Sequence, residues 1–117
     1  MTTYRFCTQA IQRLRPNASF ELWNEDFDTL IWYDESISSP SESNVADMSI
    51  LLEKEFSCNE VRIKRDRLLT DTDWVVTKAS ETDDSVPTEW KTYRQALRDI
   101  TEQSGFPDNV IWPPRPE

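Results

Sequence analysis

Thr88-Glu89-Trp90-Lys91-Thr92-Tyr93-Arg94-Gln95-Ala96-Leu97-Arg98-Asp99-Ile100 is the stretch on which the reading of the fold turns. Trp90, Tyr93, Leu97 and Ile100 recur at intervals of three, four and three, one apolar stripe along a helix. Thr88 is placed to cap the helix start, and Glu89 suits its positive end. Downstream, Gly105 stands where a helix would stop, Phe106 can fold back, and Pro107 prevents continuation. The tail from Val110 to Glu117 is kept extended by its prolines. Trp112 is expected to return over Trp74 or Tyr93, so that this tail packs.

Upstream of Thr88, residues 77–87 read as a polar loop, and Asp71 to Val76 as the close of a long helix. That helix is expected from about 41 to 70, with Val45, Met48, Leu52 and Phe56 on its apolar stripe. At roughly 40 Å it exceeds what a small compact domain needs, so part of it should project or form a coiled-coil-like seam. Before it, the serine-rich residues 34–44 read as a linker that buries nothing.

Ser19 to Trp23 and Thr29 to Tyr33 are aromatic and β-branched runs around the Asn/Asp-rich residues 24–28, which reads as a β-hairpin. Phe20 and Leu22 share one face, as do Leu30 and Trp32. Ahead of the hairpin, Ala10, Ile11 and Leu14 form the stripe of a short helix with Thr8 as its cap; Pro16 ends it. The fold class is therefore α+β. Residues 1–40 form a small helix and β-hairpin module. Residues 41–117 form a long helix and a helical hairpin with an extended Trp/Pro-rich tail.

Composition narrows function. The 117 residues carry 13 Lys+Arg, 22 Asp+Glu and no histidine, for a formal charge of -9. Such a chain repels nucleic-acid phosphates and anionic lipid, so neither nucleic acid nor membrane is an expected partner. Without histidine there is no Ser-His or Cys-His pair, no histidine base and no histidine-ligated metal. A single glycine rules out phosphate-cradling loops, and with them an ATP site. Carboxylate pairs such as Asp26/Asp28 and Asp83/Asp84 sit in polar surroundings that would not tune them, so no enzyme, metal or cofactor is expected. Cys7 and Cys58 have no metal or redox spacing and read as reduced, buried or half-buried thiols; on a virion-retained protein, Cys7 near the N-terminus could form an intermolecular disulfide. No apolar run is long enough to span a membrane and the first residues do not read as a signal peptide, so a soluble cytoplasmic protein is expected.

Five Trp, three Tyr and five Phe stand out in a chain whose mean hydropathy is -0.70. Such residues either build a small core or anchor an interface. For Trp74, Trp90, Tyr93 and Trp112 the helical spacing favours mutual packing, with one aromatic face free for a partner. Trp23, Phe27 and Trp32 exceed what a small hairpin can bury. With Phe106, these are the candidate partner-binding residues. The basic cluster Arg62, Lys64, Arg65 and Arg67 is interleaved with Glu60, Asp66 and Asp71, the pattern of a solvated, ion-paired helix face. Arg94 and Arg98 read as helix-pair glue.

Arg65-Asp66-Arg67-Leu68-Leu69, Thr72-Asp73-Trp74 and the stretch Trp90 to Ile100 together resemble the signature of bacteriophage tail assembly chaperones. Gly105-Phe106-Pro107 and Trp112-Pro113-Pro114-Arg115-Pro116 match the turn and tail of that family, so the resemblance covers residues 58–117. The closing segment is also similar to the end of tail-fibre assembly proteins. Ala10 to Ala18, with Phe20-Glu21-Leu22 and Leu30-Ile31-Trp32, resembles a small module found beside phage tail genes. There Asn17 replaces a usual glycine, and asparagine tolerates the same left-handed backbone. The loop between Trp74 and Trp90 departs from the shorter family version. The resemblance implies a non-enzymatic protein that binds a tail-fibre, baseplate or other tail subunit and assists its folding or attachment in the host cytoplasm. The alternative is a permanent component of the tail fibre or baseplate, retained on the virion.

Overall fold

The computed structural model describes residues 2–117. Its elements are α1 (Cys7–Leu14), β1 (Phe20–Trp23), β2 (Asp26–Trp32), α2 (Glu42–Asp71), α3 (Asp73–Glu81), α4 (Thr88–Arg98) and a 3-10 turn over Asp99–Glu102. This is an α+β chain, mostly helical. It divides into two compact units, Met1–Phe56 and Ser57–Glu117, so the junction falls within α2, whereas the change of sequence pattern lies at 40/41. One 30-residue helix thus supplies a stripe to each of two small cores.

In the first unit, Cys7, Ala10 and Ile11 of α1 pack with Val45 and Leu52 of α2. Phe20, Leu22, Leu30 and Trp32 of the hairpin close over them. A two-stranded sheet has too little area to stand alone, and this packing is what stabilises it. Phe56 lies off the buried stripe at 40% exposure, with its ring against Phe6 and the Arg5 guanidinium 4.6 Å from its centroid.

The hairpin turn is tighter than expected. Trp23 pairs with Asp26, leaving only Asn24 and Glu25 between strands, both left-handed at φ 55° and 57°. Paired left-handed residues match the twist of a hairpin. Asp26 and Phe27 are therefore strand, and a register shift opposite Glu21–Trp23 absorbs the extra residues of β2. The Thr29 hydroxyl fills the gap, accepting from the Trp23 N–H (3.0 Å) and lying 2.7 Å from the Asp26 carbonyl.

Glu25 also explains the start of α1. Thr8 is not the cap; Phe6 occupies that position without a side-chain cap. The Thr8 N–H instead donates to the Glu25 carboxylate at 2.9 Å, and the Phe6 N–H faces the Ser49 hydroxyl at 3.4 Å. Free N–H groups at a helix start attract an anion, so the hairpin turn supplies the cap that the local sequence lacks. Asn17 takes φ 64°, the conformation its residue type tolerates. The linker does bury something: Pro40 is buried, and the Ile37 carbonyl accepts from Trp32 Nε1 at 2.7 Å.

In the second unit, Val75, Trp90, Tyr93 and Leu97 form the core with Leu68, Leu69, Val86 and Trp112 around it. Residues 77–81, expected as loop, are helical, because Val75 and Ala79 lie four apart and both bury. That helix ends with Asp83 at φ 55°; the Asp83 and Asp84 N–H groups return to the Ser80 and Ala79 carbonyls, the pairing of a Schellman stop. Thr88 makes no side-chain cap, the cap position falling on Pro87. Gly105 is not the helix stop either. The helix has already tightened at Asp99, and Gly105 has no positive φ. Its role is close approach: a Cβ there would meet the Asn109 carbonyl oxygen at 2.3 Å.

Candidate binding surfaces

The expected partner-binding residues separate by burial. Trp90 and Tyr93 are core, at 7% and 4% exposure. Trp74 is 51% exposed and sets its ring edge-on to Trp90, centroids 5.8 Å apart; Trp90 meets Tyr93 in the same way at 6.1 Å. Trp74 therefore stands on a buried aromatic foundation, which fixes its ring without covering it. Beside it, Val75, Ala79, Pro87 and Trp90 line a cleft of about 240 Å³.

Trp112 is half-buried against the core and lies beneath the Lys64 ammonium, 4.3 Å from the ring centroid. Phe106 carries the Arg62 guanidinium at 5.7 Å, and Arg115 reaches the Trp90 ring at 5.8 Å. Part of the basic cluster thus has a use beyond solvation: its cations rest on the faces of aromatic rings. The tail is held by backbone as well. The Gln103 side-chain amide donates to the Ile111 carbonyl and accepts from its N–H, both at 2.8 Å.

Arg94 is buried at 8% exposure and joins three groups. It donates to the Leu69 carbonyl (2.9 Å), the Thr72 hydroxyl (2.7 Å) and the Asp73 carboxylate (2.9 Å). It neutralises the carbonyl end of α2 while pairing with the acid that opens α3. Arg98 donates to the Gln95 side-chain oxygen at 3.5 Å.

In the first unit, Phe27 and Trp32 turn to the core, Trp32 stacking on Phe20 at 5.9 Å, while Trp23 faces out at 48% exposure. Ile31 and Tyr33 join Trp23 among the exposed residues, at 42% and 53%. Sequence reasoning grouped all three hairpin aromatics together. Strand alternation, which already set Phe20, Leu22, Leu30 and Trp32 inward, separates Trp23 from Trp32, whereas Phe27 turns inward against that alternation, on the far side of the register shift. Desolvation, and after it the Glu21 carboxylate, raises the Tyr33 phenol above its ordinary value.

Cys7 is fully buried, and burial with Glu25 and Asp26 nearby pushes its thiol up to about 11. This agrees with the reading of Cys7 as a reduced, buried thiol, and a protonated, enclosed sulfur is a poor nucleophile for bridging chains. Among the described residues no cluster of potential metal ligands occurs, and no helix is long and apolar enough to cross a membrane.

The family model for phage tail assembly chaperone proteins matches residues 58–117, which is the second compact unit almost residue for residue. The chain belongs to the phage tail assembly chaperone family. No curated protein and no solved structure matches it. The matched segment of this chaperone contains the Arg94 junction, the aromatic foundation and the clamped tail, so the family region coincides with a core of its own. The hairpin unit lies outside the match.

Proposed function

We propose that this chaperone captures a tail-fibre or baseplate subunit before assembly and acts by binding alone, without catalysis, in the cytoplasm of the infected host. The observation that carries the reading is Trp74, half-exposed on a buried aromatic base beside a cleft of mixed apolar and polar lining. A ring already held in place loses little side-chain freedom on binding, the property of an interface anchor. A fibre chain exposes apolar surface before it trimerises, and a strongly acidic partner covering that surface keeps the pair soluble. The resemblance of the Trp-Pro tail to the end of tail-fibre assembly proteins supports a fibre as client. In the second unit Trp90 and Tyr93 support Trp74 from beneath, and Phe106 and Trp112 offer further partly exposed rings; in the first unit Trp23 offers a separate contact, with Phe27 and Trp32 packed on its core side.

The test is co-expression with the fibre and baseplate subunits of the same phage, followed by pull-down titration. Trp74→Ala should weaken capture by more than about 1 kcal/mol while helical content is retained. Unchanged affinity would remove Trp74 from the interface. Mass spectrometry of purified particles separates a released chaperone from a retained tail component; the proposal expects the chain to be absent.

A further inference from the structure

The hairpin carries a feature that Trp74 does not share: an open strand edge. Tyr33 N–H donates to the Ser19 carbonyl at 3.0 Å, so Ser19·Tyr33 is a hydrogen-bonded pair, and the register makes Glu21·Ile31 the next. By the alternation of an antiparallel ladder, the N–H and C=O groups of Phe20 and Leu22 then point away from β2. The sheet has two strands, so nothing in it pairs with that side of β1. The other side of the hairpin is different. There Thr3 bridges Asp26, and Phe27 N–H donates to the Thr2 carbonyl at 2.8 Å, covering the start of the β2 edge.

A shallow groove runs along the open edge, lined by Thr8, Gln12, Ser19, Phe20, Leu22 and Trp23. The charged residue in its lining is Glu21. From Pro16 to Glu53 every charged side chain is a carboxylate: Glu21 lies in β1 itself, with Asp34 and Glu35 just beyond β2. The exposed face of the same strands presents Trp23, Ile31 and Tyr33. Natural proteins protect free edges with lysine or proline among other devices, and the four residues of β1 include neither.

We propose that the β1 edge receives an extended, lysine- or arginine-bearing segment of a partner protein as a third strand. The backbone groups of Phe20 and Leu22 would pair with it; its basic side chains, on the outer face, would meet Glu21 with their stems along Trp23 and Tyr33, and the alternate apolar side chains would enter the groove on the Phe20 and Leu22 side. A second copy of this chain is a poor occupant, because edge-to-edge pairing would bring two all-acidic hairpins together. The inference relies on the proposed tail client only for the partner's identity. A peptide test uses no tail protein, so either can fail without the other.

The probe is a synthetic eight-residue peptide of alternating lysine and valine, added to the full-length protein and followed by amide NMR and hydrogen exchange. Saturable binding should slow exchange at Phe20 and Leu22 and weaken at high salt. The same peptide with alternate backbone amides N-methylated should not bind, and a glutamate-for-lysine peptide should bind far more weakly. Glu21→Arg, an exposed change that leaves the core intact, should cost about fivefold in affinity. No amide shift up to about 1 mM peptide, or equal binding of the N-methylated or glutamate peptide, would overturn the proposal. So would concentration-dependent protection of Phe20 and Leu22 without peptide, which would identify a second copy as the occupant.

Discussion

Unit Met1–Phe56 and unit Ser57–Glu117 are similar in size but are held together by different means. In the first, short segments are tied by hydrogen bonds between residues far apart in sequence: Glu25 caps α1, Ser49 faces Phe6, and Asp26 accepts from the Thr2 N–H. In the second, helices with their own apolar stripes meet, and one buried arginine fastens the α2–α3 corner. Charge differs in the same sense. From Pro16 through the hairpin to Glu53 the charged residues are all acidic, and the first unit sets one cation, Arg5, on aromatic rings, whereas the second sets Arg62, Lys64 and Arg115 on them. The lesson is that a small unit can be specified by one strong periodic helix or by several tertiary caps, and the two designs should fail differently.

The largest expected effect comes from the cores. Leu97→Ala and Ile11→Ala each empty a fully buried site, one per unit, and each should cost about 2–5 kcal/mol. Hydrogen exchange read by unit sharpens the comparison: each substitution should speed exchange in its own unit first. Simultaneous loss of protection in both would show one cooperative fold instead of two.

Next comes Arg94→Met, which keeps apolar bulk but strips the Leu69, Thr72 and Asp73 contacts. The expected loss is about 1.5–3 kcal/mol in urea denaturation, as for hydrogen bonds to a charged group. A neutral result would leave the second unit resting on its stripes alone. Glu25→Ala is the counterpart in the first unit. Removing the cap should cost about 1 kcal/mol and selectively speed exchange at the Thr8 amide. If the Thr8 amide stays protected, the α1 cap does not come from the hairpin.

The smallest effect is chemical. At neutral pH an alkylating reagent should label half-buried Cys58 and leave Cys7 until the first unit opens. Because the folded Cys7 thiol sits near 11, above its ordinary 9.0, the folded chain retains a proton there that the unfolded chain loses. Its stabilising contribution is therefore full below pH 9 and falls as pH rises through about 11. A Cys7→Ala variant should lose that part of the slope, seen in thermal melts taken from pH 8 to 11. Equal labelling of both cysteines in the folded protein would contradict the burial.

Legibility followed the range of the interactions. The stripe Trp90, Tyr93, Leu97 and Ile100 was readable because helical period is a local property, and all four residues are buried. The left-handed Asn17 was readable because one residue type tolerates that backbone. Helix α3 was missed because Asp73 to Glu81 carries only two buried positions among polar neighbours. Trp23 and Trp32 were grouped as equivalents although alternation, followed one strand further, puts them on opposite faces. Gly105 looked like a helix stop because that is the commonest reason for a glycine after a stripe. What requires it is the Asn109 carbonyl.

The sequence by itself determined the α+β class, the long α2, the stripe of α4 and the absence of histidine chemistry, since composition and periodicity need no knowledge of distant neighbours. Only the tertiary structure decided what caps α1, where Arg94 donates and what faces the Phe6 N–H. Those outcomes hang on pairs separated by 17, 25 or 43 residues, and a hydrogen-bond partner so far along the chain leaves no periodic trace in the sequence around either member.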